Sequence, residues 1–289
     1  MQSPDHQITQ SPDSRAPSAV GRVGRLDVIF ERRGARTVAA HRYAEPPLRA
    51  GSTYETGDAA SLILVCSGPG IFAGDTLRQS VHVRGGARVV LTSQSSLQVH
   101  PSDAEAPARI VHRYQVDDEA ELHAVWDPVI PFAGARLEQR FEIDVAAGGR
   151  LFWSDALMAG RVSRGERWQF DRLAHELRLR VGGALVYLER YGISPAARGV
   201  QRAWVMDRHD YVGTTLVCHP GATGAVAERL QRSLDADTAV CAGVDALADG
   251  LLVARVASAS GPAFARVRRE LRRDLLAALF EGADLVDRK

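Results

Sequence analysis

Cysteine is almost missing: Cys66, Cys218 and Cys241 are the only three in 289 residues. They are odd in number, far apart and without a C-x-x-C spacing, which argues against a disulfide framework or a structural zinc site. None of the nine histidines forms an H-x-H or H-x-x-x-H pair. Cys218 and His219 are adjacent, but neighbours on a strand point to opposite faces and do not share an ion. No G-x-S-x-G occurs, so acyl hydrolysis by a serine elbow is not expected. An excess of one charge is also lacking: 36 Lys and Arg stand against 35 Asp and Glu, a formal net charge of +1. No overall field then favours nucleic acid or an anionic membrane, and any partner is chosen by local surface. The apolar runs are too short to span a bilayer, and no basic stretch followed by an apolar run opens the chain. A reducing cytoplasm, with neither secretion nor membrane insertion, is the expectation.

What is present is short strands. Residues 1 to about 20 are Gln, Ser, Pro, Asp and His with few aliphatics, and are expected to be a disordered tail. From residue 21 to 289 the pattern is that of a single β-rich domain. An alternating strand, a Gly-rich or acidic turn and a second apolar strand recur from Leu77 to Thr92, Ile110 to Trp126, Leu137 to Trp153 and Leu173 to Leu188. Hairpin-like units at a period of roughly 30 to 34 residues indicate stacked strand pairs, in a β-helix-like or a sandwich-like body. Two helices are expected near the C-terminus. One spans Ala225 to Leu234. The other spans Pro262 to Phe280, with Ser260 as cap, an apolar stripe through Phe264, Val267, Leu271 and Leu275, and Arg266, Arg268, Arg269, Arg272 and Arg273 on its other face. The two helices are expected to pack together at one end of the β body.

The stretch Gly68-Pro69-Gly70-Ile71-Phe72-Ala73-Gly74-Asp75 allows two readings. One is a nucleotide loop, since Gly68-x-Gly70-x-x-Ala73 fits a relaxed G-x-G-x-x-A and would make the chain a nucleotide-binding enzyme using the Gly68–Gly74 loop. The other is a structural crossing with Asp75 at the mouth of a strand. The fingerprint needs a helix next, whereas Leu77 to Val83 alternates with period two, and Pro69 supplies no amide, which favours the crossing. Further polar groups sit at strand ends: Gln94, Asp127 beside Trp126 and Pro128, Arg161 through Glu166, and Glu189. Each has a purely structural reading as a turn tie or an ion pair. Together with Asp75 they form a set able to line a wet path for a hard or borderline cation.

Four ordered blocks carry a resemblance. They are Gly68 to Leu77, Leu91-Thr92-Ser93-Gln94-Ser95-Ser96, Trp126-Asp127-Pro128-Val129-Ile130-Pro131-Phe132-Ala133-Gly134-Ala135-Arg136, and Gly160-Arg161-x-x-x-Gly165-Glu166. In this order the chain resembles the urease accessory proteins called UreD or UreH, from about Leu26 to Phe280. The resemblance implies a non-enzymatic scaffold that binds urease apoprotein and recruits UreF and UreG, delivering nickel to the urease metallocentre while UreG hydrolyses GTP. It implies a β-rich fold and nickel in transit through an internal polar passage, with no tightly bound cofactor and no tight metal site. The passage role would fall on Asp75, Asp127, Arg161 and Glu166, with Glu189 added from the strand-end set. Arg269 and Arg273 on the C-terminal helix are the expected partner-binding residues. A nickel-storage protein is a weaker reading, because histidine and cysteine are sparse. The chain departs from the family pattern at Pro69, at Ser93 and at Gln98, where family members often carry glycine, threonine and lysine.

Overall fold

The computed structural model describes residues 21–101, 106–200, 202 and 206–280. The expected N-terminal tail lies outside the described residues. In chain order the strands are β1 (Val23–Arg33), β2 (Arg36–Glu45), β3 (Leu48–Thr56), β4 (Ala59–Cys66), β5 (Thr76–Val83), β6 (Arg88–Ser93), β7 (Leu97–Val99), β8 (Ala108–Val116) and β9 (Glu121–Val125). They continue as β10 (Val129–Pro131), β11 (Arg136–Val145), β12 (Arg150–Met158), β13 (Arg172–Val181), β14 (Ala184–Ile193), β15 (Tyr211–Cys218), β16 (Cys241–Ala248) and β17 (Leu251–Ser258). The helices are the single turn α1 (Pro195–Arg198), α2 (Gly224–Asp235) and α3 (Gly261–Leu279).

These strands form two facing sheets in a β-solenoid-like stack. The first runs β14-β13-β11-β8-β5-β1-β2, and the second β16-β17-β15-β12-β9-β6-β4-β3, with β7 and β10 attached beside β12. The units expected as hairpins are, with one exception, arches. β5 pairs in parallel with β1 and β8 in one sheet, while β6 pairs in parallel with β4 and β9 in the other. The Gly85-Gly86 turn therefore carries the chain between sheets. Of the four units, only β13 and β14 pair with each other as a hairpin, antiparallel; β1 with β2, β3 with β4 and β16 with β17 are further antiparallel pairs. Period-two alternation is the same in both arrangements, since either way each strand turns one face to the core; it does not report whether that core lies beside or across from the next strand.

Stacking is visible in the repeated bonds at the arches. Asp117 N donates to Val83 O, Ala146 N to Val116 O and Gly182 N to Val145 O, all at 2.8–2.9 Å. On the other limb, Glu121 N donates to Ala87 O and Arg150 N to Ala120 O, both at 2.9 Å. Each coil thus satisfies the arch of the one before it. Val83, Val116 and Val145 sit at equivalent inward positions, all buried, in the core between the sheets. Each fully buried aliphatic side chain contributes roughly 1.5–3 kcal/mol of transfer free energy.

A second core covers the outer face of the second sheet. Phe152, Val217 and Val256 pack there against Val226 and Leu230 of α2 and Phe264, Val267, Leu271 and Leu275 of α3. The helices thus lie on a sheet face rather than at one end of the body, because the outward side of β12, β15 and β17 is itself apolar and needs a cover. Ser260 caps α3 as expected, its hydroxyl accepting from Ala263 N at 3.3 Å. The arginines do not all share one exposed face. Arg269 and Arg273 are exposed, but Arg272 is buried and Arg268 half-buried. Positions 268 and 272 fall one turn from the buried 264 and 275, so their stems run along the sheet.

Candidate functional site

The core between the sheets is interrupted by polar residues at recurring positions. The inward residues read Leu77-x-Gln79 on β5, Ile110-x-His112 on β8, Leu137-x-Gln139 on β11 and Leu173-x-His175 on β13. In register, Gln79 lies beside His112, and Gln139 beside His175, which in turn neighbours Tyr191 of β14. From the opposite sheet β12 turns Asp155 inward. These side chains border a cavity of about 810 Å³, which extends from the 66–70 and 93–98 loops to Glu189 and Tyr191 on β14 and Cys241 on β16.

Aromatic rings border the cavity at Trp126, Phe141 and Tyr191, and Tyr114 and Trp153 pack behind them. Tyr114 meets Trp153 edge to face at 5.1 Å, Phe141 meets Trp153 at 5.3 Å, and His175 stacks on Tyr191 at 4.7 Å. The Gln79 amide donates to the Tyr114 hydroxyl at 2.8 Å, and that hydroxyl lies 3.0 Å from His112 Nδ1. With its own proton directed to Nδ1, the phenol leaves Nε2 of His112 as the protonated nitrogen. Burial pushes His112 down to about 3 and His175 to about 4, so both imidazoles are neutral at neutral pH. Burial pushes Asp155 up to about 6, opposed by the Arg268 charge and backbone amides. Part of the Asp155 surface faces the cavity rather than bulk water, which leaves it ionised but poorly solvated at neutral pH. Among the described residues, no three His, Cys, Asp or Glu side chains converge on a point where a metal ion would be held.

Three residues of the set read from the sequence border this cavity: Gln94, Asp127 and Glu189. Asp127 accepts from the Ser93 hydroxyl at 2.8 Å, and its own amide donates to the same oxygen at 2.9 Å. Glu189 accepts from the Tyr187 hydroxyl at 2.8 Å and pairs with Arg255 at 3.4 Å. Asp75, Arg161 and Glu166 are not among the residues bordering it. Asp75 closes its own turn, accepting from the amides of Phe72 at 3.0 Å and Arg22 at 2.9 Å. Glu166 accepts from Ala133 N at 3.2 Å and from Arg161 Nε at 2.8 Å, while the Arg161 guanidinium lies 4.1 Å over the Phe132 ring. Phe132 in turn meets His100, which stacks on Phe72 at 4.5 Å. Asp75, Arg161 and Glu166 therefore belong to a stack of tied loops at one edge of the coils.

Glycine in that stack is a steric requirement. A Cβ on Gly70, whose φ is +128°, would lie 2.2 Å from Gln98 O, and one on Gly160, at +131°, would lie 2.7 Å from Glu166 O. The same geometry answers the nucleotide reading. The amides of Ser67, Ile71, Phe72, Gly74 and Asp75 are all bonded within the chain, and a strand rather than a helix follows. The helix N-terminus on which the fingerprint would seat a pyrophosphate is replaced here by β5.

A model of the UreD urease accessory protein family matches residues 22–288. The chain belongs to that family. Its match to UreD begins at Arg22, whose amide ties Asp75, and includes every residue bordering the cavity. The chain is similar to the urease accessory protein UreD of Sorangium cellulosum, 34% identical over 71% of this chain and 64% of that protein. It is similar to UreD of Anaeromyxobacter sp., 32% identical over 85% of this chain and 83% of that protein. UreD 2 of Streptomyces griseus is 31% identical over 80% of this chain and 78% of its own length. The UreD-like blocks Gly68–Leu77, Trp126–Arg136 and Gly160–Glu166 are the three tied loops described above. Among the described residues no helix is long and apolar enough to cross a membrane.

Gln79, His112, Gln139, His175 and Asp155 escaped the sequence reading. The available signal was a glutamine or histidine two residues after the first inward aliphatic in each of four repeated strands. That recurrence marks a polar stripe along the inside of the stack.

Proposed function

We propose that this chain is a scaffold of urease maturation that binds urease apoprotein, recruits UreF and UreG for GTP-dependent delivery, and passes nickel through the cavity between its sheets. Membership of the UreD family supports the role, and the observation that supports the path is the cavity bordered by Asp127, Asp155 and Glu189 between neutral His112 and His175. Carboxylates spaced along the cavity, with no three donors converging among the described residues, hand on a divalent cation without trapping it. The loop-tie contacts of Asp75, Arg161 and Glu166 support a role in holding the coils together rather than in touching the cargo. Arg269 and Arg273 on the exposed side of α3 are the partner-facing charges. The partnership is tested by co-purifying the tagged chain with urease subunits and a UreF-like protein. Retention of both supports the scaffold, and loss of both in the presence of intact chain contradicts it.

A further inference from the structure

The outer sides of the two sheets differ. Helices α2 and α3 cover the second sheet, whereas the outward residues of β5, β8 and β11 in the first are exposed or half-buried. Arginines gather on this open face. In register across it, Arg25 of β1 lies beside Arg78 of β5, Arg78 beside Val111 of β8, and Val111 beside Arg140 of β11. Like charges side by side in a sheet destabilise it, and Arg78 has no ion pair among the described residues. The acids present are shared. Glu142 pairs with Arg113 at 2.9 Å and with Arg140 at 2.6 Å, and Glu176 pairs with Arg178 and with Arg190, both at 2.7 Å. The Glu142 side chain is 18% exposed, against 69% for Arg113 and 50% for Arg140. Carboxylates thus lie low against the sheet, and guanidinium groups in excess form the surface above them.

We propose that this face is the docking surface for urease apoprotein, which meets Arg78, Arg113 and Arg140 with carboxylates of its own. The proposal rests on the scaffold reading above, in which the α3 side of the body serves a UreF-like partner and leaves the opposite side for the apoprotein. Two strand spacings separate Arg78 from Arg140, about 10 Å, so one acidic patch reaches both. Each guanidinium fork accepts a carboxylate in bidentate fashion, and pairing Arg78 removes its repulsion with Arg25. A second copy of this chain fits poorly, because arginine would face arginine. Nucleic acid fits poorly as well. Glu138 and Asp144, 45% and 57% exposed, flank the patch along β11 and would repel phosphates, whereas a protein surface carrying both signs can match them.

The test measures capture of purified urease apoprotein by the tagged full chain, for wild type, Arg78→Glu, and Arg78→Glu combined with Arg140→Gln. Glutamate at position 78 sits beside Arg25, so the melting temperature of Arg78→Glu should equal or exceed that of wild type while capture weakens. The double variant should bind about tenfold more weakly or worse. Wild-type capture should fall as salt rises from about 0.1 M to about 1 M and the screening length shortens from about 10 Å to about 3 Å. Reversal of Arg269 and Arg273 to glutamate on α3 should leave apoprotein capture at the wild-type level. Undiminished capture by the folded double variant overturns the proposal and leaves the scaffold reading standing. Failure of wild type itself to capture the apoprotein overturns both. Binding of a DNA duplex that is lost in Arg78→Glu while apoprotein capture stays full assigns these arginines to phosphate and also overturns the proposal. If the double variant does not fold, Arg78→Glu alone decides by the same criterion.

Discussion

Replacing Asp155 by asparagine should make the protein more stable at neutral pH and nearly unchanged in acid. The carboxyl is carried from an ordinary 3.8 to about 6 in the fold, chiefly by burial. Below pH 4 it is protonated in folded and unfolded chains alike and adds no pH-dependent cost. Between pH 4 and 6 the unfolded chain releases the proton first, so stability falls as pH rises, and above pH 6 the whole loss is in place. At about 1.4 kcal/mol per pH unit this amounts to ~3 kcal/mol. His112 and His175, held neutral by burial, act in the opposite sense, lowering stability as pH falls below 6.5. They are present in both proteins, so their effect cancels in the comparison. The assay is urea unfolding of wild type and Asp155→Asn at about pH 4 and pH 7.5. Asn should gain ~3 kcal/mol over Asp between the two conditions, whatever fixed difference the amide brings. A gain that does not change with pH would refute the burial of an ionised Asp155.

Two further outcomes follow from the loops and the helix. Gly70→Ala should cost more than about 2 kcal/mol and reduce soluble yield, because the added methyl meets Gln98 O at 2.2 Å and the φ of +128° is strained for any L side chain; unfolding by urea reads it directly. Reversing Arg269 and Arg273 to glutamate should weaken capture of a UreF-like partner while the melting temperature stays within a few degrees, since both side chains are exposed. Unchanged capture in a pull-down places that interface elsewhere.

The alternating strands were legible because each buries one face. Leu77–Val83, Leu137–Val145 and Leu173–Val181 match β5, β11 and β13 to within a residue or so. β3 follows Pro46-Pro47 and carries few aliphatics, so no alternation marks it as a strand. β7 and β10 are three residues each and carry no period. Arches and hairpins look alike in sequence, since the turn residues are the same and the pairing partner of an arch strand lies a whole coil away. At the site, Asp127 and Glu189 were visible as acids at strand ends, whereas Asp155 lies inside a strand between Trp153 and Leu157, where an acid looks like an outward residue. Its inward direction is decided by Ser154, which packs toward α3 and accepts from Arg268. That contact spans 114 positions in the chain, beyond the reach of any local pattern.

The most direct test of nickel passage between the sheets is the nickel content of urease matured with Asp127→Asn and with Glu189→Gln. Both variants should still co-purify with urease apoprotein and deliver less nickel per active site than wild type. Full nickel loading by both would place the path outside this cavity.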